Sequence, residues 1–194
     1  MADKVPVGVL ISGRGSNMAS LIAASRDADC PYRIVLVASN NPEAAGLAIA
    51  REAGIATFAH PHKGMKRAEF DQLIDAELRR AGVELIALAG YMRILSAEFI
   101  NGWEGRILNI HPSLLPLYKG LDTHARAIAA GDAEAGCSVH IVTPELDDGP
   151  VIAQARVPVL PGDTPDSLAE RVLVEEHRLY PAALAEISRR FLPA

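Results

Sequence analysis

Apolar runs of strand length alternate with amphipathic stretches of helix length along most of the chain. VPVGVLIS leads through a glycine turn to NMASLIAASR, YRIVLVAS leads to EAAGLAIAREAG, and ATFAH leads to RAEFDQLIDAELRRAG. The alternation continues with ELIALAG, a short helix near SAEFING, RILNIH, and a helix near THARAIAAGD. Near-continuous β-branched runs such as RIVLVAS suit strands covered by helices on both faces. Repeated strand-then-helix units imply right-handed crossovers and a mostly parallel sheet. CSVHIVTPELDDGPVIAQARV breaks the pattern, because only a short polar turn separates its two strands. It predicts a hairpin that extends the sheet. The last helix has a clear start signal: Thr164 can cap, Pro165 fits the first helical position, and Asp166 complements the dipole. Pro181 predicts a kink or a restart further along. The pattern as a whole predicts an α/β fold in a single domain over residues 1–194. Its twisted, mostly parallel sheet would carry helices on both faces, a C-terminal β-hairpin and a long C-terminal helix.

Composition narrows the setting. The chain has 194 residues, 49% hydrophobic and 22% charged, ordinary values for a globular domain able to bury a substantial core. The first hundred residues carry 11 basic and 11 acidic groups, so the net charge of −5 comes from the remainder. A balanced charge without a basic patch argues against nucleic acid as a partner. Cys30 and Cys137 lie far apart without CxxC spacing and read as small buried thiols in a reducing compartment. MADKVPVGVLISG has no cleavage-site pattern, and no apolar run approaches a membrane span. The expectation is a soluble cytoplasmic protein, with neither nucleic acid nor membrane as partner.

Two short segments carry chemistry. Gly13-Arg14-Gly15-Ser16-Asn17 lies between the first strand and the first helix, where glycines let the backbone approach an anion held by free N–H groups. Met18 occupies the place of a third glycine, and the second strand ends in Ser39-Asn40-Asn41 without the acid that would hold a ribose 2′-hydroxyl. The loop therefore favours a phosphate over a dinucleotide. A glycine turn without a ligand is the alternative. In Asn109-Ile110-His111-Pro112, period-two alternation points Asn109 and His111 the same way at the carboxyl end of a strand, where open α/β sheets build their sites. An amide can donate to a developing oxyanion, and an imidazole can exchange protons. A structural histidine stays open as the other reading. The acid cluster Glu145-Leu146-Asp147-Asp148-Gly149 sits in the hairpin turn and could supply a carboxylate that keeps a histidine protonated. His60 and His62 form an HxH pair that could ligate a metal, against a surface-loop reading. His140 reads equally as structural or as a neighbour of Asn109 and His111. His124 and His177 read as helix-packing or solvent-facing.

Strand–GRGSN–helix, LAGYMRILS, NIHPSLLP, SVHIVT and ELDDGPVI, in this order and spacing, closely resemble the folate-dependent phosphoribosylglycinamide formyltransferases of purine biosynthesis. The resemblance runs from the first strand to EHRLYP in the last helix. It implies a Rossmann-like domain whose residues 1–101 form a phosphate-binding half and 102–194 a catalytic and folate-binding half. Asn109, His111 and Asp147 match the family's catalytic trio, with Asp147 favouring the protonated form of His111. Gly13, Gly15, Ser16, Asn17, Pro112 and Glu176 match the ribonucleotide contacts. Arg67, Met92, Arg93, Ile94, Leu95, Asn109, Val142, Thr143 and Glu145 match the folate site, Arg67 near the glutamate tail. Asp122 stands where some relatives carry histidine, and Leu173 where they carry a polar residue. The implied co-substrate is 10-formyltetrahydrofolate, the implied partners are small-molecule substrates, the implied state is monomer or homodimer, and no metal is called for. A 10-formyltetrahydrofolate hydrolase, with water as acceptor, is the alternative. Hydrolases of that kind carry an extra N-terminal domain and tRNA formyltransferases an extra C-terminal one, and neither is expected here.

Overall fold

The structure, a computed structural model, describes residues 4–192. Its centre is a seven-stranded sheet of order β3-β2-β1-β4-β5-β6-β7. β1 (Val5–Ile11), β2 (Tyr32–Ser39), β3 (Ala56–Ala59), β4 (Leu85–Leu88) and β5 (Ile107–His111) run parallel. β6 (Glu134–Ile141) and β7 (Val151–Pro158) follow antiparallel, forming the hairpin extension. α1 (Ser16–Ser25), α2 (Gly46–Glu52), α3 (Arg67–Arg80), α4 (Ala97–Gly102), α5 (Thr123–Ala130) and α6 (Pro165–Ser188) connect and cover the strands. None of the described helices is long and apolar enough to cross a membrane.

Alternation along each strand divides the core into two layers. Val7, Val9, Ile11, Leu108, Ile110 and Val139 pack with Met18, Leu21, Leu168, Val172 and Tyr180 on the α1/α6 side. Leu10, Leu36, Ile86 and Ile107 pack with Phe70, Ile74, Leu78, Phe99 and Trp103 on the α3/α4 side. Asn109 and His111 share the parity of Ile107, so they occupy the end of the α3/α4 face, where apolar packing gives way to polar groups.

The start of α6 follows its sequence signal: Thr164 Oγ1 accepts a hydrogen bond from the Ser167 N–H at 3.1 Å, with proline in the first turn. The helix does not restart at Pro181, and α6 runs as one element for 24 residues. Proline within a helix costs about 3 kcal/mol. Each fully buried side chain on the inner stripe, among them Leu168, Val172, Tyr180 and Leu184, contributes about 1.5–3 kcal/mol. Packing therefore outweighs the lost backbone bond.

Candidate active site

β5 delivers its last three residues to the carboxyl edge of the sheet, and the antiparallel β6 sets Asn109 opposite His140 and His111 opposite Ser138. The Asn109 amide donates to His140 Nε2 at 3.2 Å, while His140 Nδ1–H donates to the Ile141 carbonyl at 3.1 Å. One neutral tautomer satisfies both bonds. Burial, the dominant influence, pushes the His140 pKa down and favours that neutral form. Asp147 Oδ1 lies 3.7 Å from the same ring, an approach that is therefore not an ion pair. His140, which reads two ways in the sequence, is thus the group that orients the Asn109 amide.

His111 is buried, with 6% of its surface exposed, and both ring nitrogens face oxygen. Nε2–H donates to the Tyr118 carbonyl at 2.9 Å, and Nδ1 stands 3.5 Å from Asp147 Oδ2. A doubly protonated ring could donate in both directions. Asp147 itself is held in the left-handed region at φ 50°, and its Oδ2 accepts the Gly120 N–H at 2.9 Å. Backbone strain of this kind persists where surrounding contacts enforce it. The hairpin anchors the segment after His111: Ser138 Oγ accepts the Leu115 N–H and donates to the Ser113 carbonyl, and Gln154 Nε2 donates to the Leu115 carbonyl. Pro112 follows His111 directly into this segment.

The glycine loop lies at the end of β1. Gly15, at φ 76°, immediately precedes α1, whose first turn has no side-chain cap. Free N–H groups at an uncapped helix start favour an anion. A side chain at Gly15 would be left-handed, and its Cβ would lie 2.9 Å from the Gly46 Cα, so glycine is required there. Gly13 and Ser16 are exposed, whereas Asn17 turns toward α6 and donates from Nδ2 to Glu176 Oε2 at 2.9 Å. Glu176 is buried, and desolvation raises its pKa against the lowering effect of the Asn17 bond.

The residues expected to face a folate divide in two. Met92 and Ile94 are 69% and 57% exposed, whereas Leu95 is buried and Arg93 turns inward over the Phe70 ring. Val142 packs beneath the α3/α4 layer, Thr143 Oγ1 donates to the Glu145 carbonyl at 3.4 Å, and Glu145 itself is exposed. Arg67 is exposed at the first position of α3 and makes no hydrogen bond or ion pair among the described residues.

The formyl transferase family matches residues 6–184. The chain belongs to that family.

Within it, the chain is similar to the phosphoribosylglycinamide formyltransferase of Escherichia coli K12, 46% identical over 91% of this chain and 84% of the relative. A crystal structure of the phosphoribosylglycinamide formyltransferase from Brucella melitensis superposes with a TM-score of 0.92 at 52% identity, covering 96% of each chain. The trifunctional purine biosynthetic protein adenosine-3 of Gallus gallus is 50% identical over 94% of this chain. The chain spans only 18% of that relative's length.

The remaining histidines of this formyl transferase take quieter positions. His124 lines a small cavity with Pro112, Tyr118 and Thr123, and burial lowers its pKa. His177 is likewise pushed down by burial. His62 serves as a hydrogen-bond acceptor, with Arg93 Nη1 2.9 Å from its Nδ1. Among the described residues no group of three His, Cys, Asp or Glu side chains could hold a metal ion.

Proposed function

We propose that this chain transfers the formyl group of 10-formyltetrahydrofolate to the amine of 5′-phosphoribosylglycinamide, in de novo purine synthesis in the cytoplasm. The observation that carries the reading is the convergence of the Asn109 amide, the His111 imidazole and the Asp147 carboxylate at the end of β5, on the same edge of the sheet as the uncapped start of α1 after β1. Gly13, Gly15, Ser16 and Asn17 cradle the phosphate, with Pro112 and Glu176 along the ribosyl side. Met92 to Leu95, Val142, Thr143 and Glu145 border the folate, and Arg67 reaches toward its tail. Residues 1–101 supply the phosphate loop and 102–194 the catalytic groups. Glu176 and the Met92–Leu95 segment cross that division. The working unit is a monomer or homodimer acting on small molecules.

The amine nitrogen attacks the formyl carbon, a C–N bond forms, and the carbonyl electron pair moves to oxygen. Asn109 has one amide hydrogen engaged with His140 and a second available for that oxyanion. His111 supplies another donor once the Tyr118 carbonyl releases its Nε2–H. A donor already free to face such an oxyanion, as the second Asn109 hydrogen is, stabilises it by about 3–4 kcal/mol. Collapse of the adduct breaks the carbon–folate nitrogen bond. The proton lost by the attacking nitrogen passes to the departing one through His111 or a bound water. Asp147 balances the charge on His111 throughout.

The deciding assay follows absorbance as the formyl donor becomes tetrahydrofolate. Turnover is expected only with glycinamide ribonucleotide present. Equal turnover without it would replace this reading with a folate hydrolase.

Glu176→Gln separates the binding role of that side chain from its cost to the fold. A carboxyl with a raised folded-state pKa stays protonated while the unfolded chain ionises. Its penalty therefore grows as pH rises through the unfolded carboxylate range and levels off above the folded value. The glutamine can still accept from Asn17 and carries no charge. It is expected to melt higher than wild type at pH 7, with the difference vanishing near pH 4, while the ribonucleotide KM rises about tenfold on loss of a charge-assisted contact. An unchanged KM would remove Glu176 from the binding site.

A further inference from the structure

Three residues that take no part in the proposed reaction close a ring of hydrogen bonds around Met92 and Arg93. The Met92 N–H donates to Ser12 Oγ at 2.7 Å, and the Ser12 hydroxyl donates to Asn40 Oδ1 at 2.6 Å. Asn40 Nδ2 lies 3.4 Å from His62 Nδ1, and Arg93 Nη1 donates to that same nitrogen at 2.9 Å. With the His62 proton on Nε2, the single Nδ1 lone pair accepts from Arg93 at 2.9 Å, and Asn40 Nδ2 at 3.4 Å is the weaker competitor for it. The three residues come from the ends of β1 and β2 and from the segment after β3, so three separate chain turns converge on two consecutive residues. Phe70 seals the inner side, its ring 4.8 Å from the Arg93 guanidinium and 6.1 Å from the His62 ring.

The ring sorts the side chains by parity. Arg93 and Leu95 point inward and are held, whereas Met92 and Ile94 project into solvent at 69% and 57% exposure. Two exposed apolar side chains on a backbone fixed from beneath form a preorganised surface for a flat apolar ligand, and fixing that surface beforehand removes an ordering cost from binding. We infer that Ser12, Asn40 and His62 are positioning residues for the formyl donor, with His62 as the lock on Arg93. This rests on the reading of Met92–Leu95 as the donor wall. It also gives the HxH pair a role without a metal, His62 acting through Arg93 and not on the substrate.

His62→Ala is the test, with His62→Gln as the conservative control, since an amide oxygen can still accept from Arg93. His62→Ala is expected to raise the KM for the formyl donor about tenfold, the scale of one charge-assisted hydrogen bond. kcat at saturating donor and the KM for the ribonucleotide should stay within about twofold, and His62→Gln should restore most of the donor affinity. A merely structural role would lower the melting temperature and leave this split and this rescue unseen. Ile94→Ala separates the two layers of the argument. If it raises the donor KM while His62→Ala does not, the wall stands and the lock is overturned. If neither variant moves the donor KM, the wall reading itself falls.

Discussion

Replacing His111 with asparagine lowers kcat for formyl transfer by about 10²–10³-fold, the usual effect of removing one preorganised donor to an oxyanion. Asparagine is the informative substitution because the ring is buried and its Nε2–H satisfies the Tyr118 carbonyl. Alanine would leave that carbonyl unpaired and a cavity beside it, mixing a folding defect with a chemical one. The shorter amide keeps a donor and an acceptor at the strand end but cannot carry a positive charge opposite Asp147. Single-turnover measurements with both substrates saturating, on a variant whose melting curve matches wild type, isolate the chemical step. Near-normal kcat in that variant would remove His111 from the chemistry.

The second large effect comes from a residue that touches no substrate. A Cβ at Gly149 would stand 1.7 Å from the Ile141 carbonyl oxygen, and backbone cannot yield there as a flexible side chain could. The Ile141 N–H already donates to the Pro150 carbonyl at 2.9 Å, so the two sides of the turn are tied at this point. Gly149→Ala must push the turn outward, carrying Asp147 away from both His111 and the Gly120 N–H. Loss of at least tenfold in kcat is expected, together with destabilisation of about 2–4 kcal/mol, in the range of backbone clashes and broken buried networks. For a chain of this size that corresponds to a fall of several degrees in Tm, at about 2–4 °C per kcal/mol. Asp147→Asn, which removes the charge and leaves the turn alone, provides the comparison. A Gly149→Ala enzyme with wild-type kcat would show that the turn does not set the position of Asp147.

Local patterns made most of the fold legible. RIVLVAS reads as a buried strand because β-branched residues suit it on both faces, and the Thr164-Pro165-Asp166 start of α6 reads correctly because capping is decided within one turn. The amino-terminal end of β6 escaped this kind of reading. Glu134, Ala135 and Gly136 have no strand character of their own, and they are strand because β7 pairs with them, with Gly136 opposite Arg156. Pro181 does not restart α6 for the same reason, since the buried stripe of α6 that holds it is stabilised by packing against other elements. Within the site, the parity of Asn109 and His111 followed from alternation alone. The roles of His140 and His62 did not, because each depends on a partner from a different part of the chain: Asn109 for one, Arg93 for the other.

The contact between Asn17 and Glu176 joins residues 159 positions apart. As the chain emerges from a ribosome, the glycine loop and all seven strands are made before Glu176, the acid proposed for the ribosyl side. Bringing such distant ends together carries an entropic cost that is recovered only when α6 docks. A nascent chain halted before residue 176 would hold Asn109, His111 and Asp147 but lack Tyr180, whose hydroxyl meets the Leu88 and Leu108 carbonyls, and so lack both the cover of its sheet and its proposed grip on the acceptor. Catalytic competence would switch on late in synthesis, in one step, with the docking of the last helix.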